Sequence, residues 1–296
     1  MVKKSKKQTV REEKGRYSPV FDTLVYAILI AVLLLTLVPV MYVVAVSFTP
    51  YSEVVKHQGV VLIPTEITFD AYKIIMKRND FWNGLWMTIE ITVLGTLANL
   101  VVTTAFAYPL SRKHLPGRSL ITKMVVFTMI FSAGTIPTYL VVKQTGMLNS
   151  LLSYIVPGLV GVSNLIIMKS FFENLPEDIF DAARIDGCGE FKVLGRIVLP
   201  MSVPIMMTIG MYYAVGHWNT YMAAVLYVTD DTLQPVQVIL RRLLLSSITD
   251  FDADTIVPTE SLRMAAVCFS TLPIVVVYPF IQKYFVKGTL AGAVKG

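Results

Sequence analysis

Long apolar runs dominate the chain, at about 24–46, 85–108, 124–142, 151–171, 203–228 and 264–285. Each is near the roughly 20 residues that an α-helix needs to cross a bilayer core. Backbone in lipid must satisfy its own hydrogen bonds, and runs of this length select helices over barrel strands. The pattern predicts an all-α integral membrane protein with six transmembrane helices. Between the fourth and fifth runs lies a polar, helix-like stretch, DAARIDGCGEFKVLGRIVLP, from Asp181 to Pro200.

Charge then orients the helices. The 296 residues are 54% hydrophobic and only 16% charged, well below the quarter typical of a soluble domain. The net charge of +6 sits mostly in the N-terminal tail, in SRKHLPGRSLITK, in the fourth loop (Lys169, Arg184, Lys192, Arg196) and at the C-terminus. The other three loops hold Lys56, Lys73, Lys77, Arg78, Lys143, Arg241, Arg242 and Arg263. The positive-inside bias therefore predicts a multi-pass membrane protein with both termini cytoplasmic. The first run is too long for a signal-peptide core and reads as a retained anchor. Nothing folded accompanies the basic tail, so no nucleic-acid partner is expected. The organisation reads as a tail (1–22), a first helix with its external loop (23–84), a five-helix core (85–286) with a cytoplasmic loop at 174–202, and a tail (287–296).

That cytoplasmic loop has a readable physics. Asn174 and Pro176 suit a helix start, and Glu177 and Asp178 favour its first turn. Phe180 and Ala183 give the short helix an apolar side, and Gly187 can take the left-handed turn that ends it. A second helix from about Glu190 brings Phe191, Leu194 and Ile197 onto one side, and Pro200 and Pro204 mark the start of the next span. From physics alone the unit either receives a partner across its small residues or rests on the lipid headgroups.

The segment resembles the "EAA" loop of permease subunits of binding-protein-dependent ABC importers: E-A-A, three residues, Gly, nine residues, I-x-L-P. Here it reads Asp181-Ala182-Ala183, Gly187, then Ile197-Val198-Leu199-Pro200, with Asp181 in place of Glu. GMLNS, ENLPEDIFDAARIDG, IVLPMSVP and KGTLAGAVKG are similar to the maltose-type carbohydrate permeases, and AYPLSRKHLPGR and YAVGHWNTYMAAVLYVTDD to a branch handling complex saccharides in Gram-positive bacteria. The resemblance implies the type I ABC importer permease fold. It also implies a coupling loop (Phe180, Asp181, Ala182, Ala183, Asp186, Gly187, Ile197, Leu199, Pro200) that docks into a cytoplasmic ATPase dimer. The further partners it implies are a second permease, as a heterodimer, and an extracellular saccharide-binding protein. ATP and magnesium would bind the ATPase: this chain has no G-x-x-x-x-G-K-[ST] loop, and no enzyme activity or cofactor of its own is expected.

Intramembrane polar groups are the candidates for the transport path, because ionisable residues in lipid usually face a cavity or the bundle interior. Glu90 shares a helix face with Asn83, and a carboxylate there can accept from sugar hydroxyls. The fifth run holds YYAVGHWNTY, whose rings and polar groups suit a saccharide. Tyr213 and His217 share one arc and Trp218 and Asn219 point elsewhere; either one set lines a path while the other packs against the partner permease, or all pack between helices. His57, His114 and His217 lie far apart, and no metal site is expected. In the fifth loop, LQPVQVILRRLLLSS reads as an amphipathic helix on the outer membrane surface or capping the bundle, flanked by Asp230, Asp231, Asp250, Asp252, Asp254 and Glu260. The family resemblance assigns this loop to the binding protein and the C-terminal tail, disordered by composition, to the ATPase. The expected function is ATP-driven import of a saccharide, an oligosaccharide by resemblance. The alternatives are a non-sugar cargo such as a peptide, and an ATP-independent secondary transporter, which would need midplane carboxylates beyond Glu90.

Overall fold

The structure is a computed structural model that describes residues 19–245 and 259–293. Residues 1–18 of the basic tail, Asp250, Asp252 and Asp254 of the fifth loop, and the last three residues lie outside it. Among the described residues every regular element is helical. In chain order they are α1 (Pro19–Ser47), α2 (Tyr51–Lys56), α3 (Asp70–Met76), α4 (Asn79–Ser111), α5 (Arg118–Ile130), α6 (Thr135–Gln144), α7 (Leu152–Ile155) and α8 (Val162–Glu173). There follow α9 (Glu177–Ile185), α10 (Glu190–Val193), α11 (Leu199–Met201), α12 (Val203–Trp218), α13 (Met222–Tyr227), α14 (Val236–Leu245) and α15 (Glu260–Ala293).

Three stretches are long and apolar enough to span a membrane unaided: Val20–Ser47, Asn79–Ser111 and Glu260–Val277. The count reaches six when three bent pairs are each taken as one span. These are Arg118–Ile130 with Thr135–Gln144 at 115°, Leu152–Gly158 with Val162–Glu173 at 55°, and Glu190–Met201 with Val203–Trp218 at 82°. The third, fourth and fifth apolar runs are therefore not continuous helices. In the third, Gly134 takes a left-handed φ of 85°, and Pro137 suits the first turn of α6. In the fourth, Pro157 sits in a 3₁₀ turn next to Gly158 and Gly161. The fifth run ends α12 at Trp218 and restarts at Met222, and its sharp bend lies upstream, at Ser202. At the other end α15 runs on to Ala293, so 287–293 is helical where composition predicts a disordered tail.

Helix α4 is the axis around which the rest packs. At one end Tyr108, Met168, Phe172, Phe180, Val193, Val198 and Tyr213 form a buried cluster that joins α4 to α8, α9, α10 and α12. At the other, Met87, Ile91, Val142, Tyr154 and Tyr227 form a second, beneath the loop that carries α14. The apolar side of α14 (Val236, Ile239, Leu243) is buried against α3, α4 and α15, so this helix caps the bundle. Gly84 permits the seat, since a Cβ there would sit 2.3 Å from Ile239 Cδ1 and 3.2 Å from Val236 N. Thr88 Oγ1 then accepts from Val236 N–H at 2.9 Å, satisfying one of the free amides at the start of α14. Helix α1 contrasts with all of this. From Leu24 to Val44 its large apolar side chains are almost all exposed, a face that only lipid or a partner helix can cover.

Candidate coupling site and transport path

The loop between α8 and α12 folds as the sequence indicates, a short helix, a tight turn and a second helical segment. Helix α9 ends in a Schellman motif. Gly187 has φ +69°, its N–H donates to Arg184 O at 3.0 Å, and Cys188 N–H donates to Ala183 O at 2.9 Å. The second segment starts as α10, passes through a π-helical turn over Leu194–Val198 and ends as α11. Pro200 lacks the N–H that Arg196 O would receive, and the widened turn absorbs that loss. The corner itself is Ser202, fully buried, rather than Pro200.

Two faces of this unit serve different ends. Phe180 and Ala183 point into the protein, with Val193 and Val198 beside them. Asp181, Ala182, Asp186 and Gly187 face out. Ile197 and Leu199 are half-buried and Pro200 is exposed. Phe191 departs from the expectation that it shares a side with Leu194 and Ile197. It is 93% exposed, because it precedes the widened turn and the buried stripe is Val193 and Val198. Ile185, 87% exposed, stands on the other side of the Gly187 turn. Two large apolar side chains thus project from the tip of an otherwise polar loop. A helical wheel drawn on α9 alone puts Ile185 off the apolar arc, which is the available signal for it.

Arg112, at the C-terminal end of α4, fixes the inward face. Its guanidinium lies 3.5 Å from the centre of the Phe180 ring and 4.5 Å from that of Tyr108. The Tyr108 hydroxyl donates to Glu190 Oε2 at 2.6 Å, so both halves of the loop are tied to the end of one helix. Around them Arg118 pairs with Glu173, Lys169 with the same carboxylate at 2.8 Å, and Lys113 with Glu177 at 3.3 Å. The basic residues that report topology in the sequence are therefore also the clasp of the loop. Desolvated cation–π contacts contribute up to about 2 kcal/mol each. Arg112→Ala is expected to loosen α9 from α4 and speed proteolytic cleavage within 174–202 several-fold, and Arg112→Lys, which keeps charge without the planar stack, to fall between. Limited proteolysis of the purified chain checks the order.

The transport-path candidates separate into two groups. Tyr213 and His217 are buried and committed to neighbouring helices. Tyr213 Oη accepts from Gly161 N–H at 2.9 Å and pairs with the Thr103 hydroxyl at 2.8 Å. Asn99, which the sequence reading passed over, donates from Nδ2 to Gly158 O and Leu159 O, both at 2.8 Å. Its Oδ1 is left to accept from His217 Nε2 at 2.6 Å, which fixes the imidazole nitrogen that donates. Gly95 makes room, because a Cβ there would stand 2.5 Å from His217 Nε2. Trp218 is buried on a different arc, lining an apolar cavity of about 330 Å³ between α4, α12 and α15. Asn83 and Asn219 are exposed, and the half-buried Glu90 makes no hydrogen bond or ion pair among the described residues.

The sequence that folds into this bent-helix bundle matches, over residues 15–290, the family model described as "Binding-protein-dependent transport system inner membrane component". The chain belongs to this family. As a permease of this kind it is similar to the polygalacturonan/rhamnogalacturonan transport system permease protein YtcP of Bacillus subtilis, 41% identical over 282 residues that cover 93% of this chain and 98% of the relative. The trehalose/maltose transport system permease protein MalG of Thermococcus litoralis is 30% identical over 277 residues, 91% of this chain and 95% of that one. Among solved structures, a bacterial ABC transporter involved in the import of the acidic polysaccharide alginate superimposes with a TM-score of 0.83. It is 28% identical and covers 91% of this permease and 99% of its own chain. The type I importer fold expected from the loop motif is thus the fold of this chain, and the sequence falls in the complex-saccharide branch of the family.

Proposed function

We propose that this permease is one half of a two-permease channel, powered by a separate ATPase dimer, that imports a carboxylate-bearing oligosaccharide delivered by an extracellular binding protein. The observation that carries the coupling part is the pair Ile185 and Phe191, exposed on either side of the Gly187 turn on a loop clasped to α4. Exposed apolar side chains at the tip of a rigid polar loop are what a partner cleft buries. With loop 174–202 cytoplasmic, as its basic neighbours indicate, that partner is the ATPase, and ATP and magnesium belong to it. Closure of the ATPase would push α9 against α4 through Arg112 and turn α12 about Ser202, a rigid-body shift between inward- and outward-facing states.

The cargo reading draws on the relatives, two of which carry acidic polysaccharides in their names. A heterodimer with a second permease would cover the bare face of α1. Glu90 and the exposed Asn83 and Asn219 remain the path candidates, with Tyr213 and His217 holding the helices that carry them. Glu90 can accept from hydroxyls but would repel a carboxylate, so it suits the hydroxyl edge of a sugar. The test is ATP hydrolysis by vesicles holding this chain, its partner permease and ATPase, with binding proteins loaded in turn with acidic, neutral and non-sugar ligands. Stimulation is expected with an acidic oligosaccharide. Stimulation by peptide-loaded protein alone would replace the cargo.

A further inference from the structure

The groove between α13 and α14 lies at the end of the bundle away from the coupling loop. It encloses about 500 Å³, within the roughly 300–1,000 Å³ typical of ligand pockets. Its polar lining is Tyr221, Thr229, Gln234, Arg241 and Arg242, over apolar walls that include Val225 and Val238. The two arginines are not equivalent. Arg242 Nη1 is matched to Asp231 Oδ1 at 2.9 Å, as Arg78 is to Asp80 and Arg263 to Glu260 at the same end. Arg241 faces no carboxylate among the described residues; its guanidinium instead covers the Tyr221 ring at 4.9 Å from the centre. Beside it Gln234 is 4% exposed. Gln234 Nε2 donates to Val228 O at 2.8 Å, but Oε1, buried in the groove wall, receives no hydrogen bond.

A buried acceptor without a donor is a standing cost that a ligand hydroxyl would remove. An unmatched guanidinium on an aromatic face is a fork for one carboxylate. The apolar walls at Val225 and Val238 add a surface for sugar C–H groups. Carboxylate, hydroxyl and C–H face together on one small unit describe a uronic acid. We infer that this groove is a carboxylate-selective saccharide subsite, with Arg241 taking the carboxylate and Gln234 Oε1 a hydroxyl, that receives the cargo as it leaves the binding protein. The inference rests on the acidic-saccharide reading above and adds the place and the residues. Asp230 forms no ion pair with Arg241; its Oδ1 accepts from the Thr232 hydroxyl and backbone N–H at 2.7 and 2.9 Å.

The test uses the whole complex in vesicles with trigalacturonate-loaded binding protein, measuring sugar uptake and, separately, co-sedimentation of the binding protein. Arg241→Gln is expected to lower uptake about tenfold, the loss of one charge-assisted pair, with docking unchanged. Arg241→Lys should retain part of the rate, and Lys143→Gln, which removes the same charge elsewhere on that side, should retain all of it. Native uptake in Arg241→Gln would overturn the assignment. So would docking that weakens in step with uptake, which would give Arg241 to the binding-protein interface. A native complex that imports no acidic saccharide would remove the cargo reading and the subsite together, and that failure shows in the native arm alone.

Discussion

Glutamate introduced at both Ile185 and Phe191 is expected to reduce binding-protein-stimulated ATP hydrolysis to its basal level while leaving the permease folded. Neither side chain is buried within the chain, at 87% and 93% exposure, so the fold loses little. If each is buried in a cleft of the ATPase it contributes roughly 1.5–3 kcal/mol. Losing both removes ~3–6 kcal/mol, about two to four decades of association. Glutamate adds the cost of burying a charge in an apolar cleft. The measurements are recovery of the ATPase subunits with affinity-purified permease and hydrolysis by reconstituted vesicles. Unchanged recovery and hydrolysis would place the two residues on the headgroups instead.

The second large effect is on the bundle itself. Asn99→Leu removes three hydrogen bonds at once, leaving the buried His217 imidazole and the part-buried carbonyls of Gly158 and Leu159 without that partner. Interhelical hydrogen bonds in membranes average about 0.6 kcal/mol and reach about 1.7. Stranded polar groups add to that, so the expected loss is ~2–4 kcal/mol. A thermal scan of the permease in lipid nanodiscs reads it. His217→Leu in the same chain is expected to restore part of the loss, because an apolar pair leaves fewer unpaired groups than a half-broken one. A single Asn99→Leu variant as stable as the native chain would mean that the link contributes nothing to packing.

The candidate spans and their order were legible because a span needs a long uncharged run, and run length survives in one dimension. The bends were not. Glycine at 134 permits a positive φ without demanding one, and serine at 202 demands no corner. The helix-turn-helix form of 174–202 was legible in Pro176, the acidic first turn and Gly187, although Asn174 ends α8 and does not cap α9. Its outward face was not, because the widened turn at Leu194–Val198 shifts the helical phase that assigns Phe191 to the buried side. Tyr213 and His217 were placed on one arc correctly, but an arc does not say which neighbour it meets. Thr103, Asn99 and Gly161 meet it here, and only the packing of α4 and α8 against α12 shows that. The amphipathic reading of α14 found its apolar side and left its cover open, which Gly84 and Thr88 of α4 supply.

The claim that joins these parts is that 174–202 transmits ATPase closure to the bundle as a rigid unit, and Gly187→Pro tests it most directly. Proline fixes φ near −65° where Gly187 has +69°, and it removes the N–H that closes the turn on Arg184 O. The substitution unseats the junction of the two helical segments while leaving the Phe180–Arg112 clasp and the apolar bundle in place. Vesicles containing the native permease, its partners and sugar-loaded binding protein should hydrolyse ATP faster than without the binding protein. With Gly187→Pro the complex should still assemble, and the stimulation should disappear. Stimulation that persists undiminished in an assembled Gly187→Pro complex would contradict the coupling account.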